Sequence, residues 1–463
     1  MAGLFKSHMS SLLQNKRRVA FLGSVVFVLM LVYTWHTLNI DSLLPMPLLR
    51  GSNSVVVPRY HQVTCPVPAG GHQAERIPVI RGRNVSESRY ASAPSSKSHV
   101  NGGNQPVDGQ ATLSVPKVVA MVFYGRRNTV SILDCYLKRN LVSNGGLLDE
   151  VLWLQRTDKE ADIAFLDELV DGEELYTKKI VERTDGDGFS TAYDGLDDKT
   201  LYIKIDDDVV FIDDNAIVSM VCTKLMHPEH YIVSANVVNQ PLMSWVHWNL
   251  GAVRPYMPDT KHPYPALAPG EHVDWRASSL PEWEGSENFN VLEWKSPDKK
   301  KHRWLPLSGR KDHILDNTAI QETEYDAFGR GLQHWQIAAQ QHMSFFEHLE
   351  NDELWRYVFN SWNFQRKRMG IQFIAIMGID INRAKPIAAD DEHHFSVAMP
   401  VKFGRTAVAD GRAIISHYSF GPQSGDLPTT DILERYRSYA DENICLGPMH
   451  WAPKGWYNTT DSS

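Results

Sequence analysis

The sequence predicts an α/β fold: a mixed, mainly parallel sheet with helices on both faces, preceded by a single transmembrane helix and a stem. Three observations predict it. Strand-like and helix-like stretches alternate β-α-β-α-β from Val118 onward, the run Leu201 to Ile212 sets Asp206, Asp207 and Asp208 between two apolar half-strands, and Val19 to Trp35 is an uncharged apolar run.

Residues 1–18 hold Lys6, Lys16, Arg17 and Arg18 and read as a cytoplasmic tail. Val19 to Trp35 rises about 26 Å as a helix, enough for a thin early-secretory membrane. No basic residue follows until Arg50, so the positive-inside rule puts the rest of the chain in the lumen. Residues 19–38 are therefore read as a signal anchor. A cleaved signal peptide is the competing reading, but Trp35-His-Thr-Leu-Asn lacks the small residues of a cleavage site.

Residues 39–115 are rich in Pro, Gly, Ser and Asn without sustained period, as expected of a flexible stem. The sequons Asn84-Val-Ser86 and Asn458-Thr-Thr460 both fall on the lumenal side. Cys65, Cys135, Cys222 and Cys445 show no Cys-x-x-Cys spacing, which argues against zinc. Disulfides in an oxidising lumen and buried free thiols both stay open. A net charge of −8 argues against nucleic acid as partner, and 463 residues at 43% hydrophobic content can bury a large core.

Residues 116–463 are expected to form one lumenal domain in two halves, 116–239 and 240–463. Val118 to Phe123 reads as a buried strand, and Asn128 is placed to cap a helix with Val130, Leu133, Leu137 and Leu141 on one face. Strands are expected at 151–154 and 176–181 with a helix at 159–169 between them. Between Gln240 and Arg310, six tryptophans (Trp245, Trp248, Trp275, Trp283, Trp294 and Trp304) lie among prolines. They are either platforms for an acceptor sugar or anchors of a long irregular insertion. Lys299 to Arg303 and Arg366 to Arg368 read as surface charge. Helices are expected at 332–349 and 352–364, strands at 371–377 and 413–420, and a last helix capped by Thr430.

Three adjacent carboxylates between apolar runs raise one another's pKa unless a cation sits among them. No Gly, Pro or Asn flanks them to mark a tight turn, so strand alternation is expected to send Asp206 and Asp208 to one face and Asp207 to the other. Paired hard oxygens suit Mn²⁺ or Mg²⁺. An acidic hairpin connection is the bland alternative. No Gly-x-Gly-x-x-Gly or Walker-type loop competes as a phosphate site.

Lys204-Ile-Asp-Asp-Asp-Val-Val resembles the Asp-any-Asp signature of GT-A-fold glycosyltransferases, and is similar to the strand-end motif of Golgi β-1,3-galactosyltransferase-like enzymes. The resemblance implies a GT-A-like (Rossmann-like) domain in the Golgi or ER membrane, single-pass and type II. It also implies a nucleotide sugar (UDP- or GDP-sugar) as donor and a glycan, glycoprotein or glycolipid as acceptor, with 116–463 as the catalytic domain, 116–239 its nucleotide-sugar-binding half and 240–463 its acceptor-binding half. Asp206 and Asp208 would hold the metal, with His417 as third ligand by approximate position. Asp391, with Glu392 and Asp390 beside it, would supply the base of an inverting reaction; an acidic helix start is the structural alternative. Arg126 and Arg127 are expected at the donor phosphates, Asp207 on the same donor side, and Lys204 beside the acids. Two other functions fit the same residues: a Mg²⁺-dependent nucleotidyl- or phosphotransferase, and a non-catalytic lumenal carbohydrate-binding protein.

Overall fold

Strand β3 (Val118–Tyr124) is apolar on both sides because both its faces are covered. Val118, Ala120 and Val122 pack into one hydrophobic cluster and Val119 and Met121 into a second across the sheet. Burying each such side chain stabilises by roughly 1.5–3 kcal/mol. The computed structural model of the protein describes residues 61–66, 110–182, 188–268, 270–286, 288–307 and 317–453. The expected tail, the anchor, both sequons and residues 39–60 and 67–109 of the stem lie outside these residues. Among the described residues, no helix is long and apolar enough to cross a membrane.

β3 runs parallel to β4 (Glu150–Gln155) and β6 (Leu201–Asp206), and β4 runs parallel to β5 (Tyr176–Ile180). The crossovers are α1 (Arg127–Asn140) and α2 (Glu160–Asp171). Val130, Leu133, Leu137 and Leu141 are all buried, as their spacing predicts. Asn128 does not cap α1. The chain is still extended at Arg126, which takes the cap position, and Asn128 falls within the first turn.

The later chain completes this sheet. After β6 come β7 (Val209–Ile212), α3 (Ala216–Met226), β8 (His230–Val238) and α4 (Pro241–Asn249). β9 (Tyr256–Pro258) and β10 (Trp304–Pro306) pair with each other in the long insertion. Then follow α5 (Trp335–Glu350), β11 (Ser361–Asn363), β12 (Phe373–Met377) and α6 (Gly378–Ala384). A helical stretch begins with α7 (Asp391–His393), and β13 (Thr406–His417) and α8 (Ile432–Asn443) end the described fold. The strand order is β11-β13-β8-β12-β6-β3-β4-β5, with β7 paired to β13. β12 enters antiparallel between β6 and β8, so the sheet spans both expected halves rather than closing within 116–239.

Three expectations are corrected. The helix expected over 352–364 is a short turn, Leu354–Tyr357, followed by β11; Asp352 turns left-handed at φ 55° and stops a continuous helix. Asp431 rather than Thr430 takes the cap position of α8, though without a side-chain cap, while the Thr430 hydroxyl accepts from the Ile432 amide at 3.4 Å. Two pieces of the expected stem are structured: β1 (His61–Pro66) and β2 (Gln110–Val115) form an antiparallel pair, and Cys65 is disulfide-bonded to Cys222 of α3. Cys135 of α1 is bonded to Cys445 beyond α8, so the described chain has no free thiol.

Candidate functional site

The carboxyl ends of β3 and β6 lie side by side, and the acidic triplet caps the second. Asp206 ends β6, and Asp207 and Asp208 make the tight connection into β7. This differs from an uninterrupted strand, yet it separates the three side chains as alternation does. The turn is stabilised from outside: the Tyr418 amide donates to the Asp208 carbonyl at 2.8 Å, and the Asp206 amide donates to Gln372 O at 2.9 Å. Tertiary clamps replace the glycine or asparagine that an isolated turn would need.

Each carboxylate has its own cation. Lys204, buried beneath the cleft, pairs with Asp206. Arg126 Nε donates to Asp207 Oδ1 at 3.1 Å, and the Gly125 amide donates to Asp207 Oδ2 at 2.8 Å. A Cβ at residue 125 would stand 3.2 Å from that oxygen, so a glycine permits the approach. Asp208 faces His417 Nε2 at 3.0 Å and Arg126 Nη2 at 3.0 Å. Burial pushes the Asp207 carboxyl up, against the pull of Arg126. Burial also opposes ionisation of Asp208, but His417 and Arg126 outweigh it and hold that carboxyl below its ordinary range.

Asp206, Asp208 and His417 present one ligand atom each, all within 4.8 Å of one another. Two hard oxygens and one imidazole fit Mn²⁺. Arg126 stands on the outer oxygen of Asp208, where it serves as the cluster's own positive charge.

The cleft above this cluster has a volume of about 930 Å³. Asp391 lines it and accepts a hydrogen bond from Tyr193 Oη at 2.8 Å. Burial raises the Asp391 carboxyl, with Lys204 and Tyr193 opposing. Glu392 is likewise raised by burial, against its ion pair with Arg368. Asp390 caps α7 through the His393 amide at 3.0 Å and also pairs with Arg368. At the other end, Phe189 carries the Arg156 guanidinium 3.9 Å from its ring centroid and meets Phe123 edge-on.

The structure thus brings Asp206, Asp207, Asp208, Arg126, Lys204, Asp391, Glu392 and His417 to one cleft. Arg127 is not there. One residue further around α1, it lies 3.8 Å from Asp162 and over the ring of Trp451. Arg368 is not free surface charge but a wall of the cleft. None of the six tryptophans lines the cleft. Trp275 and Trp304 are buried, Trp283 donates to Pro258 O, and Trp294 and Trp304 pack on Trp335. Sequence reasoning missed Tyr193, Arg156 and Phe189. Their one signal was position: Arg156 directly follows β4, at the same carboxyl edge.

No family model matches the chain, and no curated protein does. Among solved structures, it is similar to GalNAc-T7 with UDP, GalNAc and Mn²⁺ at 10% identity, covering 70% of this chain and 48% of that one, with a TM-score of 0.34. It is also similar to 4-diphosphocytidyl-2C-methyl-D-erythritol synthase from Anaerococcus prevotii at 13% identity, covering 26% of this chain and 55% of that one, with a TM-score of 0.21. The match spans about half of each neighbour. At such scores the likeness adds no argument to the geometry.

Proposed function

We propose that the chain is a metal-dependent glycosyltransferase of GT-A type, moving a sugar from a nucleotide sugar to a hydroxyl of a glycan, glycoprotein or glycolipid in the Golgi or ER lumen. One observation carries it: a metal-competent trio, Asp206, Asp208 and His417, shares a single cleft with the buried carboxylate of Asp391. The expected anchor at residues 19–38 supports the compartment.

Residue roles follow from position. Phe189 and Arg156 offer a stacking surface for the nucleobase. Asp206, Asp208 and His417 would hold Mn²⁺ or Mg²⁺, which compensates the charge of the departing diphosphate. Arg126, released from Asp208, turns to a phosphate oxygen. Asp391 takes the acceptor hydroxyl proton as that oxygen bonds to the anomeric carbon. The bond to the diphosphate breaks with its electron pair leaving on the phosphate oxygen, and the sugar inverts. Tyr193 holds Asp391 in place.

The acceptor enters from a smaller hollow of about 140 Å³ that shares Arg368, Glu392 and Phe420 with the main cleft and adds Leu242, Phe328 and Leu332. This replaces the tryptophan surface as the acceptor side.

The test is a panel of UDP- and GDP-sugars with Mn²⁺, read as a rise in melting temperature of the full-length chain, since donor binding stabilises by mass action. A rise with one donor that vanishes in Asp206→Asn and Asp208→Asn supports the reading. No stabilisation by any nucleotide sugar, with or without Mn²⁺, overturns it. Stabilisation by free glycan alone would favour a carbohydrate-binding protein.

A further inference from the structure

The connection from α3 to β8, His227-Pro228-Glu229-His230, is a second meeting point of metal-ligating side chains. It lies at the start of β8. Because β8 is antiparallel to β12, and β12 to β6, this is the end of the sheet away from the acidic triplet. Nothing in the proposed transfer reaction uses it.

The backbone prepares the arrangement. The His230 amide donates to His227 O at 2.9 Å, which makes residues 227–230 a closed β-turn with proline in its second place. Closing the turn stacks the two imidazoles, with centroids 5.3 Å apart and planes at 29°. His227 Nδ1 is 2.9 Å from Glu229 Oε1. One ligand atom from each of His227, Glu229 and His230 lies within 4.8 Å of the other two.

His230 is also oriented from behind. Its Nδ1 is 2.8 Å from Thr406 Oγ1 at the start of β13, and that hydroxyl in turn donates to Glu229 O at 3.5 Å. A hydroxyl used as donor leaves its lone pair for the ring, so His230 Nδ1 carries the proton and Nε2 keeps its lone pair. This is how a ligating histidine is usually held. Lys224 and Arg405 both donate to the His230 carbonyl and stand against a cation, but Asp380 pairs with each of them and offsets that charge.

We propose that His227, Glu229 and His230 form a zinc site, separate from the cleft, that locks the turn between α3 and β8. Two imidazoles and one carboxylate leave the fourth tetrahedral position to water. Nitrogen-rich donors select Zn²⁺ over the Mn²⁺ or Mg²⁺ suited to the oxygen-rich cleft.

The test uses the full-length chain with Asp208→Asn, which removes the cleft as a competing site. After dialysis against micromolar Zn²⁺, bound metal is counted by elemental analysis. About one equivalent is expected, falling to none when His227→Ala and His230→Ala are added. His227→Gln alone, at a ring that is 40% exposed and safe for folding, is expected to weaken zinc binding by more than roughly tenfold. A zinc count that is zero in Asp208→Asn, or a zinc affinity unchanged by His227→Gln, overturns the proposal. Either result leaves the Mn²⁺ and donor measurements on the cleft as they stand.

Discussion

Arg126 Nη2 lies 3.0 Å from Asp208 Oδ2, while His417 Nε2 meets the other oxygen, Oδ1, at 3.0 Å. The guanidinium therefore takes a place that a divalent ion would contest. Arg126→Ala is expected to act in opposite directions on two affinities. Calorimetry should show tighter Mn²⁺ and weaker nucleoside diphosphate, because the competing cation and the phosphate donor are the same group. Losing the partner of buried Asp207 should cost about 1–3 kcal/mol in chemical denaturation, less than a fully buried pair because Arg126 is 46% exposed. If both affinities fall together, Arg126 is only structural.

Asp391→Asn is expected to lower kcat by roughly 10²–10⁴-fold while the donor Kd stays near wild type. The split matters. An equal loss in donor affinity would place Asp391 in binding rather than in proton transfer.

The pH profile gives an independent reading of the same group. A base works deprotonated, and burial raises the Asp391 pKa, so turnover should fall on the acid side at a pH above the ordinary carboxylate value of about 4. The hydrogen bond from Tyr193 lowers that pKa, so Tyr193→Phe should move the acid limb to higher pH. Stability runs the other way. With its folded pKa above the unfolded one, Asp391 favours the fold at low pH and loses that contribution as pH rises through the raised value. A limb unmoved by Tyr193→Phe would remove the hydrogen bond from the account.

Phe189→Ala should weaken nucleotide binding by about 1–3 kcal/mol, from roughly 5-fold to above 100-fold, if the ring carries the base. Arg156→Ala should follow in the same direction, since the guanidinium stacks on that ring. Affinity for inorganic diphosphate should be unchanged in both variants.

A chain beginning at residue 58 should be more stable than one beginning at residue 116. The shorter piece lacks the β1–β2 pair and the Cys65–Cys222 crosslink, which closes 157 residues. Such a crosslink contributes about 2–5 kcal/mol, readable as a lower denaturation midpoint in the shorter piece and in Cys65→Ala with Cys222→Ala.

Much of this was legible in the residues. β3, β4 and β6 announce themselves as apolar runs broken by helical spacing, since parallel strands covered on both faces have nothing else to be. Asp206, Asp208 and His417 were readable as ligand types, and the structure brings them together. Tyr193 and Phe189 were not legible, because a buried tyrosine and a loop phenylalanine look like core until a partner 198 residues away, as for Tyr193 and Asp391, comes into view. Of the two readings open for the tryptophans, the structure favours anchors of the insertion: Trp304 and Trp335 belong to the main core and Trp294 packs against it. The β1–β2 pair hid in a stretch whose composition reads as linker. Its order comes from a distant cysteine rather than from local periodicity.

β12 lies in the middle of the sheet although it is made after residue 372, and Cys135 waits for Cys445, 310 residues later. A ribosome must therefore have delivered nearly the whole chain before its centre can close. Until then the β6 margin stays open to unwanted pairing, so a nascent polypeptide of this design depends on chaperones and oxidoreductases in the compartment where it emerges.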